Sequence, residues 1–73
     1  MPRKKEPTLT NSVRDLRTAR SGMTQQELAD RVGVTRQTIV ALEGGAYTPS
    51  LALALRIARV FGKTTDQVFR LDD

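Results

Sequence analysis

The middle of this 73-residue chain carries the start and stop signals of two short helices, and no other feature constrains the fold as strongly. Thr24-Gln-Gln-Glu27 has the spacing of a capping box, in which a threonine and a glutamate side chain satisfy each other's backbone amides. Gly33 supplies the left-handed residue that commonly follows a helix. Thr35 predicts the N-cap of a second helix, which Gly44-Gly45 ends. This close spacing with a glycine between the helices is typical of a helix-turn-helix unit.

The apolar positions of the same segment favour two helices that pack on each other. Val34 before the cap and Ile39 in the next turn have the spacing of a hydrophobic staple. Because residues 35–42 are rich in β-branched side chains, a strand is the competing prediction, but the cap, the staple and the glycines favour a helix. With Gln25 counted as the first position of the unit, its apolar positions are Leu28, Ala29, Val32, Val34, Ile39 and Leu42.

Three further helices are predicted outside this unit, so the predicted fold class is all-α with five short helices and no strand. The predicted helices and caps are Ser12–Arg20 with Asn11 or Thr10, a helix from the Ser50 cap to Phe61, and Asp66–Phe69 with Thr65. Residues 1–9 hold two prolines and a charge cluster without periodicity, which predicts a flexible arm. The domain is therefore expected to occupy residues 10–73.

Composition excludes several classes of protein. The chain has no cysteine and no histidine, so it lacks disulfides, thiolate metal ligands and the commonest general base and metal ligand. Without these groups its serines and carboxylates make no nucleophile–base arrangement, and we expect neither an enzyme nor a cofactor. The longest apolar run, Leu51–Leu55, is far shorter than the roughly 20 residues of a membrane span. With no secretory signal visible, the expected location is the cytoplasm.

The net charge of +4 lies entirely in the first 20 residues, because residues 21–73 hold six basic and six acidic groups. The cluster Arg3-Lys4-Lys5 could contact a DNA minor groove or phosphates, or it could form a solubilising tail. Arg14 and Arg20 are equally compatible with solvated surface charges and with phosphate contacts. A basic balance admits nucleic acid, an anionic membrane or an acidic protein as partner, and charge alone does not choose among them.

The stretch TQQELADRVGVTRQTIVALEGGAYTPSLALALRIARVFG resembles the motif TQxELAxxxGVSRQTIxxxExGxxxPSLxxxxxIAxxFG of Cro/C1-type (XRE) helix-turn-helix regulators. The resemblance covers about residues 11–70 and is closest to short stand-alone bacterial members, whose last helix reads DEVF where this chain has Asp66-Gln-Val-Phe69. It implies a five-helix, lambda-repressor-like DNA-binding domain, a homodimer and a double-stranded DNA operator as partner.

The resemblance implies that the second helix of the unit enters the major groove and that its first turn contacts bases. An arginine fork fits guanine, a glutamine amide fits adenine, and methyl groups suit the thymine methyl. The alternative for each side chain is simple solvation on a surface helix, and for alanine a plain helix preference. The candidate base contacts are Arg36, Gln37, Thr38, Val40 and Ala41.

The family also contacts the DNA backbone from the start of the first helix of the unit and from the loop after the second. Gln25 matches the glutamine that holds a phosphate and braces the recognition helix, although it could be an ordinary exposed residue. Thr35 is first a helix cap, and Tyr47 could instead pack across the domain. The candidate phosphate contacts are Gln25, Thr35, Gly45, Tyr47 and Thr48.

In the family, the arginine at Arg17 pairs with the glutamate at Glu43 as a structural ion pair. This chain departs from the pattern here, because it has one residue more than usual between Arg17 and Thr24. Whether the pair forms therefore depends on how the turn between the first two helices closes.

Residues 51–61 are apolar except for Arg56 and Arg59, which predicts more than one buried partner for that helix. The surplus apolar surface favours a two-fold dimer, and a core that surrounds the helix is the alternative.

Three classes of function follow from these observations. The first is a dimeric, sequence-specific transcriptional regulator, and a repressor in particular. The second is a protein-interaction or antitoxin-like module that keeps the fold, with a toxin or a regulatory protein as partner, which the neutral charge of residues 21–73 allows. The third, an enzyme, has the least support.

Overall fold

The computed structural model describes residues 8–72 and contains five helices and two short strands. In chain order these elements are β1 (Thr8–Asn11), α1 (Val13–Ala19), α2 (Gln25–Val32), α3 (Arg36–Glu43), α4 (Leu51–Val60), α5 (Thr65–Val68) and β2 (Phe69–Asp72). The five predicted helices are all present, and the prediction that the chain has no strand is wrong.

The two strands form an antiparallel pair that joins the two ends of the described chain. Leu9 lies opposite Leu71 and Asn11 opposite Phe69. Each strand has only four residues and its partner is about 60 positions away, so no local turn signal announces the pair. Residues 8 and 9, assigned above to a flexible arm, belong to β1. Residues 1–7, which hold the basic cluster of that arm, lie outside the described residues.

Asn11 ties this sheet to two helices. Its side-chain oxygen accepts the amide of Val13, the first residue of α1, at 3.1 Å, while its amide nitrogen donates to the Leu42 carbonyl at the end of α3, at 3.0 Å. Ser12 occupies the N-cap position without a capping side-chain hydrogen bond, and its backbone amide donates to the Val68 carbonyl at the end of α5. The start of α1 is therefore held by residues from both halves of the chain.

The last helix begins one residue earlier than predicted. Thr64, not Thr65, is its N-cap, because the Thr64 hydroxyl accepts the Gln67 amide and the Gln67 side chain accepts the Thr64 amide. This is a capping box of the same kind as in α2, with glutamine in place of glutamate. Phe69 does not extend the helix, because its backbone is extended and starts β2.

The helix-turn-helix unit forms as its sequence signals predict. Thr24 and Glu27 make the capping box of α2, and Thr35 caps α3 by accepting the Thr38 amide. Gly33 has a φ of 76°, a left-handed backbone conformation that residues other than glycine rarely adopt. The helices α2 and α3 are thus joined by only three residues, 33–35.

The extra residue between α1 and α2 is absorbed in a tight turn. Ser21 and Gly22 both take positive φ values, 53° and 69°, and the Met23 amide donates back to the Arg20 carbonyl. A non-glycine residue with a positive φ is uncommon, so Ser21 adopts an unusual conformation in this turn. Met23 is buried directly after the turn.

One apolar core holds the helices together. The helix-turn-helix unit contributes Leu28, Val32, Ile39 and Leu42, and α4 contributes a face that includes Ile57. The complete set of buried apolar residues is Val13, Met23, Leu28, Ala29, Val32, Ile39, Leu42, Leu53, Ile57, Ala58 and Val68. Because α3 buries its inner face in this core, its outer face is fixed in direction.

Within residues 8–72 no helix has the length and apolar character needed to cross a bilayer. The same part of the chain contains no cluster of acidic side chains arranged to hold a metal ion.

Replacing Thr24 by alanine should lower the free energy of unfolding by about 1 kcal/mol, because the Glu27 amide loses the hydroxyl that caps it. Urea denaturation of wild type and variant measures this difference. Thr18→Ala serves as a control at an exposed threonine outside the capping boxes. An unchanged midpoint for the Thr24 variant would contradict the assigned cap.

The capping box also makes a pH-dependent contribution to stability. The backbone amide of Thr24, and then its hydroxyl, lower the pKa of Glu27 below its ordinary value of 4.5. A lowered pKa in the folded state means that the contribution is complete above 4.5 and is lost as pH falls through the lowered value. Glu27→Gln keeps an acceptor but cannot titrate. We therefore expect wild type to lose stability relative to this variant in acid, as measured by urea denaturation over a pH series.

Candidate nucleic-acid interface

The outer face of α3 is a stripe of exposed side chains of mixed chemistry. Ile39 and Leu42 are completely buried, whereas Arg36, Gln37 and Val40 are exposed. Thr38 and Ala41 lie at the boundary and are half-buried. The five candidate base contacts therefore divide into three fully presented side chains and two at the edge of the stripe.

The first turn of α3 is held by two threonines. The Thr35 hydroxyl accepts the Thr38 amide at 3.3 Å and lies 3.1 Å from the Thr38 hydroxyl. The Thr35 hydroxyl is thus engaged with both the Thr38 hydroxyl and the Thr38 backbone amide, while Thr35 remains exposed. The observed role of Thr35 is capping, and this cap sets the direction of the Arg36 and Gln37 backbone.

A buried ion pair joins α1 to the end of α3. Arg17 donates from Nε to Glu43 Oε2 at 2.7 Å and from Nη2 to Glu43 Oε1 at 3.1 Å, which is a bidentate contact. A third donor, Nη1, reaches the Met23 carbonyl at 2.7 Å. The ion pair forms although the turn between α1 and α2 is one residue longer than the family pattern. Through the Met23 carbonyl, this turn contacts the same guanidinium.

Gln25, the first residue of α2, completes this network. Its Nε2 donates to Glu43 Oε1 at 3.2 Å, so Glu43 accepts from both preceding helices. Only 11% of the Arg17 side chain and 5% of the Glu43 side chain are exposed. The hydrogen bonds that Arg17 donates to Glu43 raise the pKa of Arg17 above its ordinary value, against a smaller opposing effect of burial. Arg17 is therefore a permanent cation that is neutralised within the protein.

An open cleft of about 590 Å³ lies beside α3. It brings together Gln25, Arg36 and Val40, and it also contains Arg14 and Gln26. The complete lining is Arg14, Arg17, Thr18, Gly22, Met23, Thr24, Gln25, Gln26, Arg36, Val40, Glu43 and Gly44. The cleft does not include the candidates Gln37, Thr38 and Ala41, or those of the loop after α3.

The structure separates Arg14 from Arg20, which sequence left equivalent. Arg14 is exposed, lines the cleft with Arg36, and has no side-chain hydrogen bond or ion pair among residues 8–72. Arg20 lies outside the cleft and donates to the Val60 carbonyl at the end of α4. Arg14 was not among the candidate site residues. Its position one helical turn before Arg17 was visible in sequence, but which side of α1 faces the cleft was not.

The candidate phosphate contacts of the loop after α3 lie outside the cleft. The Gly45 amide donates to the Leu42 carbonyl at 3.1 Å, with φ 80°, so it closes the helix end. Gly45 is exposed, and so are Tyr47 and Thr48. Of these three, Tyr47 and Thr48 offer accessible polar side chains, and Gly45 offers a backbone without a side chain in the way.

Comparison with known proteins agrees with this arrangement. A helix-turn-helix family model matches residues 13–68, from the start of α1 to the end of α5. The chain therefore belongs to the helix-turn-helix family of XRE-type transcriptional regulators.

Three individual proteins illustrate the similarity. An uncharacterized HTH-type transcriptional regulator of Methanothermobacter thermautotrophicus is 62% identical over 53 residues, which are 71% of this chain and 77% of that protein. The cryptic phage CTXphi transcriptional repressor RstR of Vibrio cholerae is 34% identical over 53 residues, or 73% of this chain and 47% of RstR. The crystal structure of the restriction-modification controller protein C.AhdI from Aeromonas hydrophila has a TM-score of 0.68 and 31% identity, covering 75% of this chain and 82% of C.AhdI.

Breaking the ion pair from one side should destabilise the protein more than removing both charges. We expect Glu43→Leu, which leaves Arg17 without a carboxylate, to lower the free energy of unfolding by about 3 kcal/mol. Arg17→Met combined with Glu43→Leu should lose less than either single replacement, because neither charge then stays buried alone. Urea denaturation of both single variants and the double variant gives the coupling energy. Additive losses would contradict the assigned pairing.

Proposed function

We propose that the protein is a dimeric transcriptional regulator that binds a double-stranded DNA operator through α3 and acts as a repressor. The observation that carries this proposal is the outer face of α3, where Arg36, Gln37 and Val40 are exposed on a helix whose other face is buried in the core. A helix held in this way meets the geometric requirement for entering a major groove.

The side chains of this face have complementary chemistry for base edges. Arg36 supplies a fork for guanine O6 and N7, and Gln37 supplies a donor and an acceptor for adenine. Val40 offers methyl groups one turn later, with Thr38 and Ala41 at the rim for thymine methyl contacts. Arg36 and Gln37 are thus the principal specificity residues of the proposal.

The surrounding residues are suited to the phosphate backbone. Gln25 stands at the start of α2 and lines the same cleft as Arg36, while Thr35, Gly45, Tyr47 and Thr48 flank the two ends of α3. We add Arg14 to this set, since it lines the cleft and its side chain has no counterion among residues 8–72. These groups would fix the register of α3 without selecting sequence.

The repressor role is supported by the similarity to RstR, a transcriptional repressor. A two-fold dimer would place two copies of α3 in half-sites about one helical turn, or roughly 10 base pairs, apart on a pseudo-palindrome. A repressor of this kind acts by occupying its operator.

The proposal is tested by selecting binding sites from random DNA with the purified protein and measuring affinities by gel shift. A pseudo-palindromic consensus is the expected result. If no DNA is bound at low salt, the protein-interaction module becomes the better description.

Two arginine replacements should have different effects on the selected site. Arg36→Ala should lose about 1–3 kcal/mol of discrimination at one base pair per half-site, while weak binding to any DNA remains. Arg14→Ala should weaken all sequences equally and reduce the slope of log affinity against log salt by about one per bound monomer.

Arg20→Ala is the matched control, because it removes the same charge from the same segment but outside the cleft. It should leave both the consensus and the salt slope close to those of wild type. An unchanged consensus for Arg36→Ala would remove Arg36 from the base contacts, and an Arg14 variant identical to the control would remove Arg14 from the phosphate contacts.

A further inference from the structure

Three large leucines are exposed on a surface that shares no residue with the cleft beside α3. Leu51 is 72% exposed, Leu71 60% and Leu55 49%. Leu51 and Leu55 lie one turn apart on α4, and Leu71 belongs to β2. The surface is therefore built from two elements that are separate in sequence. We call Leu51, Leu55 and Leu71 with the adjoining groove the outer apolar patch.

The groove is formed where the sheet meets α4 and α5. It has a volume of about 590 Å³, and its lining is Leu9, Pro49, Leu51, Ala54, Thr65, Asp66, Phe69, Arg70 and Leu71. Leu9 and Leu71 are partners across the two strands and bring their side chains to the same face of the sheet. Exposed apolar surface of this kind, rimmed by polar groups, marks an interaction site.

Two opposite charges stand within this groove. Asp66 and Arg70 are both exposed and both line it, and they form no ion pair with each other. Among residues 8–72 the Arg70 guanidinium has one hydrogen bond, to the Ser12 hydroxyl at 3.4 Å, and the Asp66 carboxylate has no side-chain hydrogen-bond donor. A partner for the patch must therefore offer apolar side chains together with one positive and one negative group.

A second copy of the same patch meets this requirement. In a two-fold contact residue i of one protomer meets residue j of the other, and j meets i. Asp66 would then face Arg70 of the other copy twice, while Leu51 and Leu71 supply the apolar contact. Residues 1–7 of the same chain would fit the outer apolar patch less well than a second copy does. They contain one large apolar side chain, Met1, and three basic residues.

We propose that the outer apolar patch is the homodimer interface, closed at its rim by two symmetry-related ion pairs between Asp66 and Arg70. The purpose of this dimer rests on the proposed function, since two linked copies of α3 are what a pseudo-palindrome requires. The interface itself is tested without DNA.

Charge placed in the apolar part should dissociate the dimer. Leu71→Glu and Leu51→Glu should each weaken dimerisation at least about a hundredfold, measured by analytical ultracentrifugation, because a carboxylate is then buried without a partner. Val40→Glu is the matched control, an exposed apolar residue on α3 outside the patch, and should leave the dimer intact. Circular dichroism establishes that each variant is folded. A folded Leu71→Glu variant that dimerises like wild type would overturn the proposal.

Charge exchange tests the two-fold geometry directly. Asp66→Arg alone and Arg70→Asp alone should each weaken the dimer about tenfold, because two attractions become two repulsions. A mixture of these two single variants should form a heterodimer in which one protomer carries only arginine and the other only aspartate at the two positions. The double exchange in one chain should recover the homodimer. If the mixture forms no heterodimer, Asp66 and Arg70 do not meet across a two-fold axis.

Failure of this interface is distinguishable from failure of the proposed function. An intact dimer in every variant overturns the interface, whatever DNA the protein binds. A wild-type protein that dimerises through the patch but selects no DNA sequence leaves the interface standing and overturns the operator-binding function. Salt separates the two contacts as well, since DNA affinity should fall steeply with salt and an apolar dimer should not.

Discussion

The bidentate contact between Arg17 and Glu43 is the interaction on which the position of α3 depends. Glu43 is the last residue of α3, and it also accepts from Gln25 at the start of α2, while Arg17 reaches the Met23 carbonyl in the turn between α1 and α2. One carboxylate and one guanidinium therefore link three helices and a turn. Because both groups are nearly buried, their hydrogen bonds fix geometry in a way that exposed ion pairs do not.

This ion pair also changes how the charge of the chain is understood. Arg17 is one of the six basic residues in the first 20 positions, but its charge is cancelled inside the protein. The cations that face the cleft are Arg14 and Arg36, one from the basic first segment and one from the neutral remainder. Net charge is thus a poor measure of how many cations are accessible to phosphates. Whether each arginine has a counterion within the protein is a more direct measure.

The helices could be predicted from sequence because their signals are local. A helix end is determined by residues that are close in sequence. Examples are a threonine three residues before a glutamate or glutamine, and a glycine after an apolar turn. The sheet could not be predicted, since Leu9 and Leu71 lie near opposite ends of the described chain and no local signal pairs them. The same reason explains the candidate site. The exposed face of α3 follows from its apolar periodicity, but the presence of Arg14 beside Arg36 depends on how α1 packs against the unit.

The pairing of β1 with β2 has a consequence for the two ends of the described chain. The contacts of α2 with α3 lie within residues 24–44, whereas β1 pairs with β2, the last element of the described chain. The Ser12 amide, at the start of α1, likewise donates to the Val68 carbonyl. The contacts between α2 and α3 are therefore close in sequence, whereas those between β1 and β2 join distant parts of the described chain. A chain without Phe69–Asp72 would leave Leu9 without its strand partner, so each end of the described chain depends on the other for its hydrogen bonds.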